Sequence, residues 1–176
     1  MYKMMSLIIL TGLCIGAFTI NEARLPMNLE MHLTVYVTRF GSNEAEFVSH
    51  HPAVLTTIGK NWLEDQIGDS PSTQPANYIS VSSSTSSPSA AWTQIPSEIA
   101  ANGLTRAIAT YASTGDGTWT ETKEFTCTTT TVTDAQLSGL QYGTTGDNNL
   151  LASDIFTPTT LLVGDKLTLV WSSSVS

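Results

Sequence analysis

Short segments in which apolar and polar residues alternate recur along this chain, and they constrain its fold more than any other feature. The segment MHLTVYV (31–37) is the clearest, because its odd-numbered residues are all apolar. This period is typical of a strand with one buried face. Similar segments, rich in threonine, follow from GLTRAIATYAST (103–114) to the end and are separated by turn residues. About seven or eight short strands of this kind predict an all-β fold, an antiparallel, jelly-roll-like β-sandwich.

One segment has a different period. From residue 55 to residue 67, apolar residues recur three or four positions apart, as on one face of a helix. Pro52 suits a first helical turn, and Gly68 suits a helix end. We therefore predict a single amphipathic helix at about 53–67, inserted after a first hairpin.

The stretch NYISVSSSTSSPSAAWTQIPSEI (77–99) has the serine-rich composition of a linker between domains. Its first residues, however, are typical of a strand, and Ile95 and Ile99 are candidates for apolar anchor positions near its end. Only its middle, 82–90, has the character of an exposed loop. We therefore predict that residues 27–176 form a single β-sandwich domain.

The chain begins with an apolar N-terminal segment, 1–26. A lysine at position 3 precedes an apolar run over 7–20, which is the layout of a secretory signal and is short for a membrane span. Two alternatives remain open: the segment stays attached as an anchor or assembly arm that packs against neighbouring subunits, or the working protein begins at Met27. We expect contact with a membrane only transiently and through this segment, if at all.

Composition limits the partners. The net charge is −8, and the seven lysines and arginines are spread along the chain. A nucleic-acid-binding surface needs clustered cations, so we predict no nucleic-acid partner. Only 12% of the residues are charged, and abundant threonine supplies polarity that suits strands.

The two cysteines are Cys14 and Cys127. Cys14 lies in the apolar N-terminal run, whereas Cys127 shares the apolar face of a predicted strand with Phe125. We predict no disulfide and a buried, unreactive thiol at Cys127.

We find no pattern typical of a catalytic site. The three histidines, His32, His50 and His51, are not accompanied by a nucleophile motif. Carboxylates such as Glu121 and Glu124 could form an acid–base pair, but fifteen acidic residues make such pairs easy to find by chance. We predict no catalytic residues and hence no enzymatic activity.

The sequence also contains no pattern typical of a metal site or a cofactor site. The adjacent pair His50 and His51 lacks zinc-ligand spacing. Asp116, Asp147 and Asp154 lie in or near predicted turns, yet they do not form the series of oxygen ligands that calcium requires. No glycine-rich phosphate loop is present. We predict no metal-binding or cofactor-binding residues and no cofactor.

The four tryptophans allow two interpretations. Trp119 and Trp171 share a strand face with apolar residues, which favours a role in the core. The alternative is a carbohydrate-binding module, which would expose Trp92, Trp119 and Trp171 in a row.

Most of the chain after residue 54 resembles a class of small structural proteins, often called tail-fibre-like, from tailed phages, archaeal viruses and related proviruses. LTTIGKNWLEDQIG is similar to their opening helix, and GDKLTLVW is similar to one of their closing strands. The central signature comprises a strand (Ala76, Tyr78, Ile79, Val81), a turn (Thr93, Ile95, Glu98, Ile99) and a second strand start (Gly103, Leu104, Arg106, Ala107).

The resemblance implies a non-enzymatic structural protein that self-assembles as a virion or tail-associated component. Its expected partners are copies of itself and other particle or filament subunits, and its expected location is the virion or the extracellular cell surface. Because particle proteins need no secretory signal, the N-terminal segment favours an alternative, a secreted subunit of an extracellular filament or surface layer.

Overall fold

A computed structural model describes residues 28–68 and 74–176. The predicted N-terminal segment, with Cys14, lies outside the described residues. The described chain forms two five-stranded antiparallel sheets that pack around one hydrophobic core. The predicted antiparallel β-sandwich with one helix is confirmed.

The elements follow in chain order. They are β1 (Leu29–Thr38), β2 (Ala45–Pro52), β3 (Val54–Leu55), α1 (Thr57–Ile67), β4 (Tyr78–Ser82), β5 (Ala107–Ile108), β6 (Thr110–Gly115), β7 (Thr118–Thr126), β8 (Val132–Gln141), β9 (Leu150–Leu161) and β10 (Lys166–Val175). The first sheet has the order β2-β1-β10-β7-β6, and the second has the order β3-β9-β8-β4-β5. β1 pairs with β10 and β3 pairs with β9, so the two ends of the described chain are nested as in a jelly roll.

Alternation along the strands builds the core. In β1, the odd-numbered residues from Met31 to Val37 are buried, as predicted. In β10, Leu167, Leu169 and Trp171 are fully buried and face the second sheet. The indole Nε1 of Trp171 donates a hydrogen bond to Ser138 Oγ on β8 at 3.3 Å, which satisfies its polar group within the core.

The helix begins later than predicted. Val54 and Leu55 pair with β9 as a short strand, and Pro52 is the last residue of β2. The helix starts at Thr57, after Thr56, whose hydroxyl accepts a hydrogen bond from Gly59 N at 2.9 Å. The prediction of a start near residue 53 is wrong because an apolar run fits a strand as well as a helix. No helix in 28–68 or 74–176 is long and apolar enough to span a membrane.

The segment 103–114 is not one strand. It contributes β5 to the second sheet and β6 to the first. Between them, the N–H of Ala109 donates to the carbonyl of Asn77 at 2.7 Å. The chain therefore crosses from one sheet to the other at a residue whose sequence carries no turn signal.

The serine-rich stretch, 77–99, is ordered at both ends, as predicted. It starts with β4, and Ser82 forms an isolated antiparallel bridge with Glu98. Ile95 is buried, and the N–H of Ile99 donates to Val81 O at 2.8 Å. Its two ends are therefore held together at the margin of the second sheet.

Candidate functional site

A cavity of about 430 Å³ lies between the two sheets, at the end where β1 begins and β10 ends. The helix covers it with Trp62 and Leu63, while the first sheet contributes Tyr111 and Trp119. Leu151 lies on the side of the second sheet. A cavity of this size and apolar character is typical of small-molecule sites.

Four buried polar atoms of residues that line this cavity have no hydrogen-bond partner within the described part of the chain. They are Glu121 Oε2, Ser173 Oγ, Asn77 Oδ1 and Trp62 Nε1. Buried polar atoms are nearly always paired, because leaving one unpaired costs about 1–3 kcal/mol. Their collection around one apolar cavity marks it as the leading candidate for a binding site.

Glu121 is the unusual residue of the group. Its side chain extends from β7 opposite Tyr111 of β6 and Trp171 of β10, and the residue is only 5% exposed. Burial raises the pKa of Glu121 from 4.5 to about 7, and a hydrogen bond with Trp119 offsets part of the effect. A carboxyl group in this state can take up or release a proton near neutral pH.

The local sequence explains this placement. Trp119, Glu121 and Phe125 alternate along β7 and share its inward face. Phe125 reaches the packed core, whereas Trp119 and Glu121 lie nearer the strand's start and face the cavity. The sequence alone does not distinguish Glu121 from the other acidic residues. The available signal is an acid between Trp119 and Phe125 on the inward face of a strand.

Next to the cavity lies an exposed strand edge. β6 is the outermost strand of the first sheet and pairs only with β7. All six of its residues, TYASTG, are exposed, and none is charged or proline. Tyr111 is 61% exposed and also lines the cavity. Such an edge is a template for another strand.

The histidines lie at the other edge of the same sheet. The rings of His32 and His50 stack with their centroids 5.1 Å apart, and His50 Nδ1 lies 2.8 Å from Thr34 Oγ1. Cys127 is buried and free, and its thiol points at the carbonyl oxygens of Thr130 and Leu161 at 3.2 and 3.6 Å. The structure therefore does not hydrogen-bond these histidines to the cysteine.

The aspartates considered for calcium are separated from one another. Asp116 and Asp147 are exposed in turns, whereas Asp154 is buried in β9. Burial raises the pKa of Asp154 to about 6, partly offset by the N–H of Ile155 and by His51. Across residues 28–68 and 74–176, no group of three His, Cys, Asp or Glu side chains could hold a metal ion.

The tryptophans divide between the core and the cavity. Trp171 is fully buried, as predicted, while Trp62, Trp92 and Trp119 are half-buried. Trp62 stacks on Tyr142 with ring centroids 6.1 Å apart. Because Trp171 is in the core, the exposed row that a carbohydrate-binding module would need does not form.

Two residues of the central signature form a partly buried ion pair. Arg106 donates from Nε to Glu98 Oε1 at 3.0 Å and from Nη2 to Glu98 Oε2 at 2.5 Å. Its Nη1 donates to the carbonyl of Gly143 at 3.1 Å. This arrangement gives both residues a structural role, in which the arginine holds three segments of the second sheet's end together.

Comparison with known proteins adds no relative, since no family model, no curated protein and no solved structure matches the chain. The exposed edge of β6 and the cavity beside it are the two features of the described chain that indicate a function.

Proposed function

We propose that this protein is a non-enzymatic structural subunit that self-assembles as a virion or tail-associated component. The observation that carries the proposal is the edge of β6, six exposed residues without a charge or a proline. Soluble proteins usually block such edges with charges, prolines or bulges. β6 has no charge and no proline, and its one register shift lies between Ser113 and Gly115, so the part of the edge before it is suited to pairing with another chain.

A second copy of the same strand is the partner that fits this edge. Two β6 strands that pair antiparallel would place no like charges opposite each other, because the strand carries none. The pairing would satisfy the free backbone groups of both strands and join two five-stranded sheets into one. Low charge over the whole chain, 12% of residues, also favours subunits that bury surface against one another.

The alternative, a secreted subunit of an extracellular filament or surface layer, uses the same edge. The two proposals differ in the fate of residues 1–26. Mass spectrometry of purified particles or filaments would show the N-terminal peptide. A chain that begins at Met1 or Met27 favours the virion component, whereas processing between Ala17 and Ala23 favours the exported subunit.

The edge is tested by placing one charge on it. Ala112 lies on β6 opposite Thr120, on the face away from Tyr111, so A112K adds an exposed lysine without touching the cavity. N43K adds the same charge in the exposed turn between β1 and β2. We expect the wild-type chain and N43K to assemble at the same protein concentration. A112K should need about tenfold higher protein concentration to assemble.

Sedimentation velocity and negative-stain electron microscopy of the full-length chain provide the measurement. Equal assembly of A112K and N43K would show that the contact lies elsewhere. A wild-type chain that stays monomeric at every accessible concentration would overturn the proposed function itself.

A further inference from the structure

The cavity beside β6 has a chemical character that assembly does not explain. Its walls are aromatic and aliphatic, yet two hydrogen-bond acceptors, Glu121 Oε2 and Asn77 Oδ1, lack partners among the described residues. Glu121 and Ser173 are 95% or more buried, at 5% and 3% exposure. An occupant that fits must therefore be largely apolar and carry a group that donates hydrogen bonds.

We propose that this cavity binds a small hydrophobic ammonium compound, with its cationic group against Glu121 and Asn77 and its apolar body between Trp62 and Trp119. This inference goes beyond the proposed structural role and does not depend on it. The occupant's chemistry follows from charge, from hydrogen-bonding capacity and from the aromatic walls.

Charge complementarity favours a cation. Among the described residues, Glu121 is the only carboxylate that lines the cavity, and no described lysine, arginine or histidine lines it. An anionic ligand would be repelled by Glu121, whereas an ammonium would offset the cost of burying it. The tryptophan and tyrosine rings add attraction, because the faces of aromatic rings hold cations.

The groups around Glu121 leave it as the main titrating site. β6 contributes Tyr111, while β10 contributes Trp171 and Ser173. β1 and α1 contribute only uncharged side chains to the cavity, namely Leu29, Met31, Trp62, Leu63 and Gln66. On β7 itself, Lys123 shares the strand face, and its Nζ lies 5.7 Å from the centre of the Phe125 ring.

Hydrogen-bond counting also favours an ammonium over a simple alcohol. A primary ammonium has three donors and no acceptor, so it can serve Glu121, Asn77 and the hydroxyl of Ser173 at once. It leaves only the donor Trp62 Nε1 of the four unpaired atoms without a partner. An alcohol has one donor and would leave at least one of the buried acceptors unpaired. Because bonds between charged groups are about twice as strong as neutral ones, the ammonium gains most from Glu121.

The proposal makes binding depend on pH. An ammonium favours the ionised form of Glu121, whose pKa in the free protein is about 7. Affinity should therefore rise as the pH rises through that value and level off above it. An alcohol with the same carbon chain should show no such rise.

The test uses three probes with one apolar body, hexylammonium, hexan-1-ol and hexanoate, titrated by calorimetry into the full-length chain. At about pH 8 we expect hexylammonium to bind about tenfold or more tightly than hexan-1-ol, and hexanoate most weakly. At about pH 6 the advantage of hexylammonium should shrink several-fold.

Two variants locate the effect. E121Q keeps the size of the side chain and removes its charge, so hexylammonium should lose about tenfold in affinity and its pH dependence. E124Q is the matched control, because Glu124 lies on the opposite, exposed face of β7 and pairs with Lys166 at 2.9 Å. Circular dichroism checks that both variants are folded.

Equal affinity for hexylammonium and hexan-1-ol would overturn the proposal, since the cavity would then select only apolar bulk. Loss of hexylammonium affinity in E124Q as large as in E121Q would also overturn it. Absence of binding by all three probes would mean that the buried polar atoms bind water only. None of these outcomes bears on assembly through β6, which is measured separately.

Discussion

The two outermost strands of the first sheet, β2 and β6, differ in the charged residues and prolines that they carry along their open edges. β2 carries Glu46, His50 and His51 and ends at Pro52. A register shift in its pairing with β1, between Val35 and Tyr36, adds an irregularity of the kind that deters pairing. β6 carries no charge and no proline and is exposed along its whole length, and its one register shift, between Ser113 and Gly115, lies at the turn end of the strand.

The difference shows at which edge the described sheets can pair with a strand of another chain. The outer strands of the second sheet, β3 and β5, are two residues each and too short to serve as templates. Among the described strands, β6 is therefore the long edge strand that carries neither a charge nor a proline. A fold with one such edge can pair with one neighbour through backbone hydrogen bonds.

The hairpins that carry these two edges are also anchored differently, which gives the largest expected effect. Asp165 is buried and accepts hydrogen bonds from the N–H groups of Phe40 and Leu162 at 2.8 and 3.0 Å. It also accepts one from Arg39 at 2.8 Å. We expect D165A to lower the free energy of unfolding by about 3–5 kcal/mol, because buried donors lose their acceptor. Urea unfolding followed by tryptophan fluorescence measures this loss.

The matched control is the turn aspartate of the other hairpin. Asp116 is exposed between β6 and β7, and its side chain makes no hydrogen bond to the described residues. We expect D116A to cost less than about 1 kcal/mol. Similar losses in D165A and D116A would contradict the view that only the β1–β2 hairpin is fixed by a buried carboxylate.

The acidic residues near the two edge strands differ in their burial. Glu46 of β2 is exposed, whereas Glu121, next to β6, is buried with a pKa of about 7. The folded chain keeps the Glu121 proton up to that pH, while the unfolded chain releases it near 4.5. The unfolded state binds fewer protons in this window, so stability falls as the pH rises from about 4.5 to about 7. The wild type should lose on the order of 3 kcal/mol of its free energy of unfolding across this window, and E121Q should not show this loss.

Urea unfolding at several pH values across this window measures the slope for the wild type and for E121Q. Asp154, whose pKa is also raised, is present in both proteins and cancels in the comparison. E44Q changes an exposed acid of the same type and serves as the matched control. A slope in E121Q equal to that of the wild type would mean that Glu121 ionises normally in the folded chain.

The smallest effect concerns the turn next to β6. Thr114 Oγ1 donates to Thr118 Oγ1 at 3.1 Å in an exposed position. T114V keeps the β-branched shape and removes this bond, so we expect a loss of less than about 0.5 kcal/mol in the same assay. A loss above about 1 kcal/mol would show that the β6 hairpin depends on side-chain bonds as the β2 hairpin does.

Local patterns were sufficient to predict much of the fold. Alternation in β1 and β10 identified the buried face, because a period of two follows from strand geometry alone. The same rule placed Trp171 in the core. Patterns that suit two structures were less informative: Val54 and Leu55 became a strand because β9 lies beside them.

The cavity could not be predicted from the sequence. Trp119 and Phe125 share one face of β7, but Phe125 belongs to the buried core whereas Trp119 is half-buried and lines the cavity. Whether a residue faces the core or a cavity depends on elements far away in the chain, here α1 and the start of β1. The importance of Glu121 follows from the same distant contacts, so its sequence neighbours could not show it.

The ion pair between Glu98 and Arg106 affects how well the serine-rich loop tolerates changes in its sequence. Together with the bridge between Ser82 and Glu98, it closes the base of the serine-rich loop independently of the loop's own residues. Loop closure becomes only slightly more costly as a loop lengthens. The exposed residues 85–87 are thus a place where insertions, including foreign peptides, can be displayed while the sandwich beneath them keeps its register.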